Sequence, residues 1–322
     1  MESKRITFIV NPSSSNGATG KQWPRIRAKA RDRLGPFRTL ITTGRGDATQ
    51  LARRAILSGD DIIVSVGGDG TFNEVINGVL NEEGLLEPGV LLGFIPRGTG
   101  CDLAKSIPIQ RDLDRALDNI LTCQTRWIDL GKLRYRGDDG RELYRYFHNV
   151  MSFGLGGEVD ERVNKTTKAF GGFMSFVLAT LISVLSYKRK RIRLSVDNCF
   201  DEEVRIWNVA VANGQYHGGG MWVAPGAALN DGLFHVTVIG DMSLIEVLWN
   251  LPKLYNGKIY ELKKVRMLTG RRIEASSFQS VLMDVDGEQV GRLPVVIEIV
   301  PYILPIICDV RCDPLHYSSA SM

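Results

Sequence analysis

Cysteine and histidine are scarce in this sequence, and their positions exclude several kinds of site. The five cysteines are odd in number and scattered along the chain, which is typical of free thiols in a reducing compartment. Cys308 and Cys312 are the only close pair, and neither a second pair nor a neighbouring histidine completes a zinc site. The four histidines show no metal-ligand spacing, so we interpret them as structural residues.

A strong excess of charge of one sign is also missing. The formal net charge of +4 is too small to indicate nucleic-acid binding, although it is compatible with anionic substrates or an anionic membrane surface. The first residues lack the apolar core of a signal peptide. We therefore expect a cytoplasmic protein with no nucleic-acid partner, and a homodimer is compatible with the sequence.

One long run without charge, residues 169–187, is followed by four basic residues. This arrangement imitates a membrane span with a cytoplasmic flank. Serine and threonine residues and a Gly-Gly pair within the run instead favour a helix that is buried or touches a membrane. The alternatives are a core helix and an apolar wall for acyl chains, in which case the lysines and arginines of the run 188–193 contact anionic headgroups at the membrane surface.

Apolar strands alternate with helices across residues 1–122, which predicts a doubly wound, parallel α/β domain. Capping boxes are predicted at Asp47 with Gln50, and further along the chain at Ser243 with Glu246. Ligands of parallel sheets bind at the carboxyl ends of the strands. Four polar or glycine-rich loops follow predicted strands and should meet at that edge. They contain Asn11, Thr42, residues 67–71 and residues 98–100.

From Trp127 onwards, short strands dominate and predict a larger, mostly antiparallel β-sandwich domain with a few helices. The pattern changes from alternating strands and helices to mainly short strands near residues 123–128, which predicts domains of residues 1–125 and 126–322. We expect the C-terminal tail to pack back on the first domain. The patterns predict strands at 144–153, 203–212, 281–285 and 295–300, among others, and helices at 157–187 and 243–254.

The stretch of residues 61–80 is the most informative part of the chain. A β-branched run at 62–66 predicts a buried parallel strand, and apolar residues at helical spacing from 72 to 80 predict a helix over residues 71–80. Between them lies a turn whose three glycines permit unusual backbone angles. A strand, a glycine turn and a helix bring backbone amides up to a phosphate. A plain tight turn is the alternative.

Three motifs, in this order, carry a resemblance to a known family. They are Gly67-Gly68-Asp69-Gly70-Thr71-Phe72-Asn73-Glu74, Gly98-Thr99-Gly100-Cys101-Asp102 and Asp286-Gly287-Glu288. With Asn11-Pro12, Asp129-Leu130-Gly131, Asn149 with Phe153-Gly154, and Asn230-Asp231-Gly232-Leu233, the sequence resembles the diacylglycerol-kinase-like lipid kinases, in particular the bacterial soluble ones, over nearly its whole length. The resemblance implies ATP-dependent phosphorylation of a lipid hydroxyl in the cleft between an ATP-binding first domain and a lipid-binding second domain.

The resemblance also implies roles for individual residues. Phosphoryl transfer needs amide donors around the phosphates and Mg²⁺ held by carboxylates. The implied Mg²⁺ residues are Asp69, Asp102 and Asp129, acting through water, since Mg²⁺ usually keeps several waters. The implied nucleotide contacts are Asn11, Thr42, Gly67, Gly68, Asp69, Gly70, Thr71, Gly98, Thr99 and Gly100.

Glu288 is implied as the base that takes the proton from the lipid hydroxyl. It would lie on a turn between the strands at 281–285 and 295–300. A hairpin turn without any catalytic role is the alternative for this motif, because Asp-Gly is a common hairpin signature.

A second, structural Mg²⁺ is implied near Asp231, with the backbone carbonyls of Ala228 and Leu233 as further ligands. Oxygen-only coordination suits a hard cation, and a metal-free turn is the alternative. The chain departs from the family at Cys101, where relatives usually carry Asn or another small polar residue. A thiol is a weak hydrogen-bond partner, so we interpret Cys101 as a small residue that fills space, in preference to a redox role.

Two other functions fit part of the pattern. An NAD kinase shares the Gly-Gly-Asp-Gly loop and a similar two-domain plan, although residues 98–102 and 286–288 favour the lipid kinase. A non-catalytic nucleotide-binding regulator is the other alternative, and the presence of Asp69, Asp102, Asp129 and Glu288 argues against it.

Overall fold

The computed structural model describes residues 4–137, 139–165, 180 and 182–309. The described chain divides into two compact units. Unit 1 is formed by the chain up to Ile128 and again from Tyr302, and unit 2 by Asp129–Pro301. The chain therefore leaves unit 1, builds the whole of unit 2 and then returns.

Unit 1 is a parallel sheet flanked by helices. Its strand order is β2-β1-β3-β4, and every pair is parallel. All six residues of β3 are buried, as expected for a central strand with helices on both faces. The elements are β1 (Ile6–Val10), α1 (Ala18–Leu34), β2 (Arg38–Ile41), α2 (Asp47–Leu57), β3 (Ile62–Gly67), α3 (Asp69–Val79), β4 (Leu91–Pro96), α4 (Leu103–Ser106) and α5 (Leu113–Thr122).

Unit 2 is built mainly from antiparallel strands. Its helices are α6 (Leu155–Lys165) and α7 (Leu244–Asn250), with short 3₁₀ turns at Leu251–Leu254 and Ile259–Glu261. The strands are β5 (Thr125–Arg136), β6 (Glu142–Phe147), β7 (Val150–Gly154), β8 (Lys190–Val196), β9 (Phe200–Ile206), β10 (Asn208–Ala212), β11 (Tyr216–His217), β12 (Met221–Trp222), β13 (Phe234–Ile239), β14 (Val265–Gly270), β15 (Arg272–Ser276), β16 (Leu282–Val285), β17 (Glu288–Arg292) and β18 (Val295–Ile307).

Two sheets of unit 2 pack face to face as a β-sandwich. One has the order β14-β13-β10-β7-β16-β17, and the other runs from the first part of β18 through β15 and β8 to β9. Alternate residues of both sheets, such as Phe153 and Val211 from the first and Leu194 and Ile273 from the second, share one buried cluster. The predicted fold class, an α/β domain followed by an antiparallel β-sandwich, is confirmed.

The last strand, β18, returns the chain to unit 1. Its end lies parallel to β4, with Ile306 opposite Leu92. The side chains of Leu304, Ile306 and Ile307 are buried. The core of unit 1 therefore depends on residues from the far end of the chain.

Three sequence predictions about unit 2 are wrong in detail. The strand predicted at 144–153 is two strands, because the chain breaks at His148 and Asn149. The strand predicted at 203–212 divides at Trp207, with β9 and β10 in different sheets. β17 was not predicted, and Glu288 begins this strand instead of lying on a turn that extends to residue 295.

The charge-free run at 169–187 falls mostly outside the described residues, as do Cys312 and His316. Residues 182–186 are described and are helical. No helix among the described residues is long and apolar enough to cross a membrane.

Candidate active site

The predicted nucleotide contacts of unit 1 follow the carboxyl ends of its strands. Asn11 comes directly after β1, and its Nδ2 donates a hydrogen bond to Thr71 Oγ1 at 2.9 Å. The Asn11 amide donates to Val66 O of β3 at 3.0 Å, and the Thr42 amide donates to Val10 O at 2.9 Å. The loops after β1 and β3 are thus in direct contact, whereas Thr42 continues the pairing of β2 with β1.

Two glycine loops of unit 1 touch backbone to backbone. A Cβ on Gly98 would lie 2.5 Å from Gly68 Cα, and one on Gly68 would lie 3.2 Å from Gly98 Cα. A side chain at Gly98 would therefore force the loops apart. The Arg97 amide donates a hydrogen bond to Gly67 O at 2.6 Å, which also joins the two loops. This packing explains why both loops need glycine, and it does so without reference to a ligand.

Asp69 ties the second loop to the start of α3. Its Oδ2 accepts the Asp102 amide at 3.0 Å, and its Oδ1 accepts the Leu103 amide at 3.4 Å. The carboxylate of Asp102 is buried and forms an ion pair with Lys105 at 2.6 Å. Asp69 and Asp102 are therefore close neighbours in the structure, as a shared role requires.

Cys101 lies in the middle of this second loop with a positive φ of 48°. Few residues other than glycine adopt this conformation, and Asn is among those that do so most readily. The thiol is buried, and it both accepts from the Gly98 amide and donates to Gly98 O. Burial and the nearby charge of Asp69 raise the pKa of Cys101 to about 12. The structure thus supports a space-filling role, because a thiol with this pKa is not a nucleophile at neutral pH.

Glu74, the last residue of the first glycine motif, has a structural function that the sequence analysis missed. Its two carboxylate oxygens accept the amides of Gly46 and Ala48, at 2.8 and 3.0 Å, and so cap the N-terminus of α2. The capping box predicted at Asp47 and Gln50 is wrong. Asp47 is the first residue of α2, and its carboxylate accepts the amides of the preceding Thr43 and Gly44 instead. The capping box predicted at Ser243 and Glu246 is confirmed.

In unit 2, Asp129 is fully buried and holds the turn that contains Asp231. Its Oδ2 accepts the Gly232 amide at 2.7 Å, and its own amide donates to Leu229 O at 2.6 Å. Asn213 Nδ2 donates both to Asp129 O and to His148 O. Asn213 was not singled out in the sequence, although it connects Asp129 to the start of β7.

Glu288 is held by a cation. The Asp286-Gly287 pair forms a two-residue hairpin between β16 and β17, with positive φ at both residues, as a type I′ turn requires. Directly after it, Glu288 Oε2 accepts a hydrogen bond from Arg145 Nη2 at 2.7 Å, and both side chains are largely buried. Arg145 lies 143 residues before Glu288, so no local pattern could have identified it.

Asp286 fastens the hairpin to the break between β6 and β7. Its carboxylate accepts the amides of His148, Asn149 and Val150, and it lies 2.7 Å from His148 Nδ1. Burial pushes the pKa of Asp286 up, but His148 and these amides more than offset it, so the pKa lies below its usual value. This carboxylate is therefore an anion that positions the neighbouring Glu288.

The donor sets fit magnesium. A carboxylate offers about four acceptor positions, so Asp69 retains capacity for a metal-bound water beside its two amides. Asp231 Oδ1 accepts the Leu233 amide at 3.0 Å, and its Oδ2 lies 3.9 Å from His235. Burial lowers the pKa of His235, so this imidazole is neutral at neutral pH and does not repel a cation. Among the described residues, no group of three His, Cys, Asp or Glu side chains could hold a metal, so a metal at Asp231 would need backbone carbonyls as further ligands, and such oxygen ligands suit a hard ion.

Two family models match the chain. The diacylglycerol kinase catalytic domain matches residues 5–133, and the YegS C-terminal NAD kinase beta sandwich-like domain matches residues 149–308. Only the two ends of the chain and residues 134–148 lie outside both matches.

Curated relatives align over most of the chain. The diacylglycerol kinase of Bacillus subtilis (strain 168) is 28% identical over 293 residues, which cover 90% of this chain and 92% of that protein. The diacylglycerol kinase of Staphylococcus aureus (strain JH9) is 28% identical over 292 residues, which cover 90% of this chain and 88% of that protein.

Solved structures share the fold. A diacylglycerol kinase from Bacillus anthracis str. Sterne has a TM-score of 0.68 at 19% identity, and the alignment covers 97% of this chain and 100% of that chain. Yeast NADH kinase complexed with NADH has a TM-score of 0.55 at 12% identity, and the alignment covers 100% of this chain and 90% of that chain. The fold by itself therefore does not separate these two kinds of kinase.

Proposed function

This chain belongs to the diacylglycerol-kinase-like family, whose two domain models match it in succession, and from this premise we propose that it is an ATP-dependent lipid kinase. The proposed acceptor is the hydroxyl of a lipid of the diacylglycerol type, the substrate that the names of the curated relatives indicate. Because such a lipid resides in a bilayer, the protein would meet it at a membrane surface.

The observation that carries the proposal in unit 1 is the N-terminus of α3, which begins at Asp69 within the first glycine loop and lies beside the second glycine loop. Gly68 and Gly98 bring the backbone of both loops together at the start of α3. Unpaired amides at a helix N-terminus bind phosphate. We therefore assign residues 67–71 and 98–100 to the phosphates of ATP, and Asn11 and Thr42 to outer contacts with the nucleotide.

The charged residues then divide the remaining tasks. Bound Mg²⁺ would supply positive charge to the phosphates during transfer, and we assign Asp69, Asp102 and Asp129 to hold it through water. Glu288 takes the proton of the lipid hydroxyl. Arg145 orients the Glu288 carboxylate for this task, and Asp286 fixes the hairpin turn that immediately precedes Glu288.

Replacing Glu288 by Gln tests the assignment of the base. Removal of a positioned general base costs about 10²- to 10⁴-fold in rate, so E288Q should lose at least about 10²-fold in kcat while the fold is kept. The measurement is transfer of radiolabel from ATP to a panel of diacylglycerol, phosphatidylglycerol, sphingoid bases and NAD, separated by thin-layer chromatography. E274Q, which removes a half-exposed carboxylate of β15, should retain full activity.

Each result of this assay has a defined meaning. Label in a lipid that is lost in E288Q supports the proposal. A folded E288Q protein with full activity would sink the assignment of the base. Label in NADP alone would replace the lipid kinase by an NAD kinase, and label in none of the acceptors would favour the non-catalytic regulator.

Replacing Asp231 by Asn tests the structural metal without reference to turnover. A metal that binds only the folded protein stabilises it, by about 2.7 kcal/mol at a hundred times Kd. We expect the thermal midpoint of the parent protein to rise on titration with Mg²⁺ in the absence of ATP, and that of D231N to respond clearly less. D241N, which removes an exposed carboxylate paired with Arg189, is the control. An equal response in all three proteins would exclude a metal at Asp231.

A further inference from the structure

One surface of unit 2 exposes an unusual density of large apolar side chains. Trp249 is 85% exposed, Ile245 78% and Leu185 63%. They lie on α7 and on the helical residues 182–186. The apolar face, as we name this surface, consists of Ile182, Leu185, Leu244, Ile245, Leu248 and Trp249.

The same two helices are also apolar on their inner sides. Val184 and Val247 are buried in one cluster with Trp207, Met242 and Ile259. Both valines line a cavity of ≈ 110 Å³ in unit 2, whose lining is mainly apolar but also includes Asp160 and His217. A surface helix of a globular protein ordinarily turns a polar face to water. Helices that are apolar on both sides are suited to an apolar medium outside the protein as well as inside.

The two segments that carry this face have an excess of positive charge. The segments 182–189 and 241–264 contain six lysine or arginine residues and three carboxylates. Each of the three carboxylates forms an ion pair within these segments, since Asp241 pairs with Arg189, Glu246 with Lys264 and Glu261 with Lys253. The remaining cations are Lys188, Lys258 and Lys263, all of them exposed.

We propose that the apolar face inserts into the surface of an anionic lipid bilayer, with Trp249 and Ile245 as anchors and Lys188, Lys258 and Lys263 on the headgroups. Tryptophan is enriched at the membrane–water interface because its ring is amphipathic. Lysines near an anionic leaflet add electrostatic attraction. This proposal specifies the membrane contact proposed above. Its biological role rests on the proposed lipid kinase function, whereas the physical argument rests only on the exposed apolar side chains and the lysines.

A second copy of this chain fits the face less well. A two-fold interface would place the same surface against itself. That arrangement would collect the excess lysines of both copies at one interface, and like charges across an interface are unfavourable. An anionic bilayer instead complements both the apolar side chains and the cations.

The position of the face gives it a consequence for the substrate. The helices that carry the face also line the cavity through Val184 and Val247, so a lipid beside Trp249 would lie on the outer side of one of these helices. Insertion of the apolar face into the bilayer would place the hydrocarbon chain of a lipid against the outer side of these helices without exposing that chain to water.

Vesicle cosedimentation of the full chain tests the proposal. The probes are vesicles of phosphatidylcholine alone and of phosphatidylcholine with one quarter phosphatidylglycerol. The variant I245S/W249S should bind the anionic vesicles at least tenfold more weakly than the parent protein. F278S is the matched control, because Phe278 is fully exposed but lies in the turn between β15 and β16, and it should bind like the parent.

Neutralisation of the cations tests the second half of the proposal. The variant K188Q/K258Q/K263Q should lose the preference for anionic vesicles and the salt dependence of binding. Binding of I245S/W249S equal to that of the parent would overturn the proposal. So would a parent protein that self-associates in lipid-free buffer and becomes monomeric in this variant by analytical ultracentrifugation, since the face would then be a protein interface.

The test separates this proposal from the proposed function. Cosedimentation uses no ATP, so a protein that binds vesicles but phosphorylates no lipid would refute the kinase and leave the membrane contact intact. On a water-soluble, short-chain diacylglycerol, I245S/W249S should retain the activity of the parent, whereas on vesicles it should lose activity in proportion to its binding.

Discussion

At the scale of single residues, the ion pair between Arg145 and Glu288 is the feature that most constrains the chemistry. The guanidinium donates to one oxygen of the carboxylate, and neither side chain is more than about one-fifth exposed. Hydrogen bonds between charged groups are directional, and arginine adds a planar fork that lysine lacks. Arg145 is therefore a positioning residue for the proposed base.

Replacing Arg145 by Met should reduce kcat by about 10- to 100-fold, the cost expected when a reacting group is misplaced, with little change in KM for ATP. R145K keeps the charge and should recover part of kcat. Steady-state kinetics on the lipid that the parent phosphorylates provides the measurement. R141M, which removes an exposed arginine near the same strand, should behave like the parent. If R145M raised KM for ATP and left kcat unchanged, Arg145 would contact the nucleotide instead.

The residue scale also shows where sequence patterns fail. Glu74 caps a helix that begins 27 residues earlier in the chain. Arg145 pairs with Glu288, which lies 143 residues later. Such contacts are set by tertiary packing, which a single sequence does not display. Cys101 could be identified as a departure from the family, but its left-handed backbone conformation became visible only in the structure.

At the scale of elements, the β16–β17 hairpin depends on one buried carboxylate. Asp286 accepts three consecutive backbone amides at the start of β7. Asn at this position has one neutral oxygen that can accept a hydrogen bond and an NH₂ group that cannot. The buried backbone amides would therefore lose a charged acceptor, and at least one of them would lose its partner, which costs about 1–3 kcal/mol.

We therefore expect D286N to be less stable by about 1–3 kcal/mol at neutral pH. Since the folded pKa of Asp286 is lowered, its stabilising contribution is fully present above its unfolded pKa of about 4. That contribution is lost as the pH falls through the lower folded value. Urea unfolding at neutral pH and below about pH 4 should show a difference between D286N and the parent that narrows in acid.

D201N is the matched control, because Asp201 forms an exposed ion pair with Arg193. Exposed pairs contribute about 0–1 kcal/mol, so D201N should stay close to the parent. A D286N protein as stable as D201N at neutral pH would show that the hairpin is fixed by its other contacts.

The elements themselves were largely predictable where periodicity is strong. The buried run of β3, the glycine turn and the apolar stripe of α3 gave the right element types with boundaries within two residues. Breaks inside continuous β-type sequence were missed at His148 and Trp207. There the chain changes direction because of partners elsewhere: Asp286 accepts the His148 amide, and the Trp207 amide donates to Ile239 O.

At the scale of the whole molecule, the completion of unit 1 by the end of β18 makes a prediction about fragments. Leu304, Ile306 and Ile307 are at most 4% exposed. Burial of such side chains is worth about 1.5–3 kcal/mol each, and a whole domain is stable by about 5–15 kcal/mol. A fragment of residues 1–128 should therefore show no cooperative thermal unfolding by circular dichroism.

Fusing the chain from Tyr302 onwards to Ile128 through a flexible Gly/Ser linker should restore a cooperative transition to this fragment. The same fusion with I306D should not, because it buries a charge in place of the isoleucine. Equal, cooperative melting of the fragment with and without residues 302–322 would show that β18 is dispensable for unit 1.

The pairing of Ile306 with Leu92 also has a consequence for the time order of folding during synthesis. Nascent chains generally fold from the N-terminal domain onwards. Here unit 2 is one uninterrupted segment, whereas unit 1 waits for a strand that leaves the ribosome after all of unit 2. The first segment to be translated is thus the last to complete its structure. Until then one edge of β4 has no neighbouring strand, although its other edge pairs with β3, and an open strand edge is a hazard for aggregation.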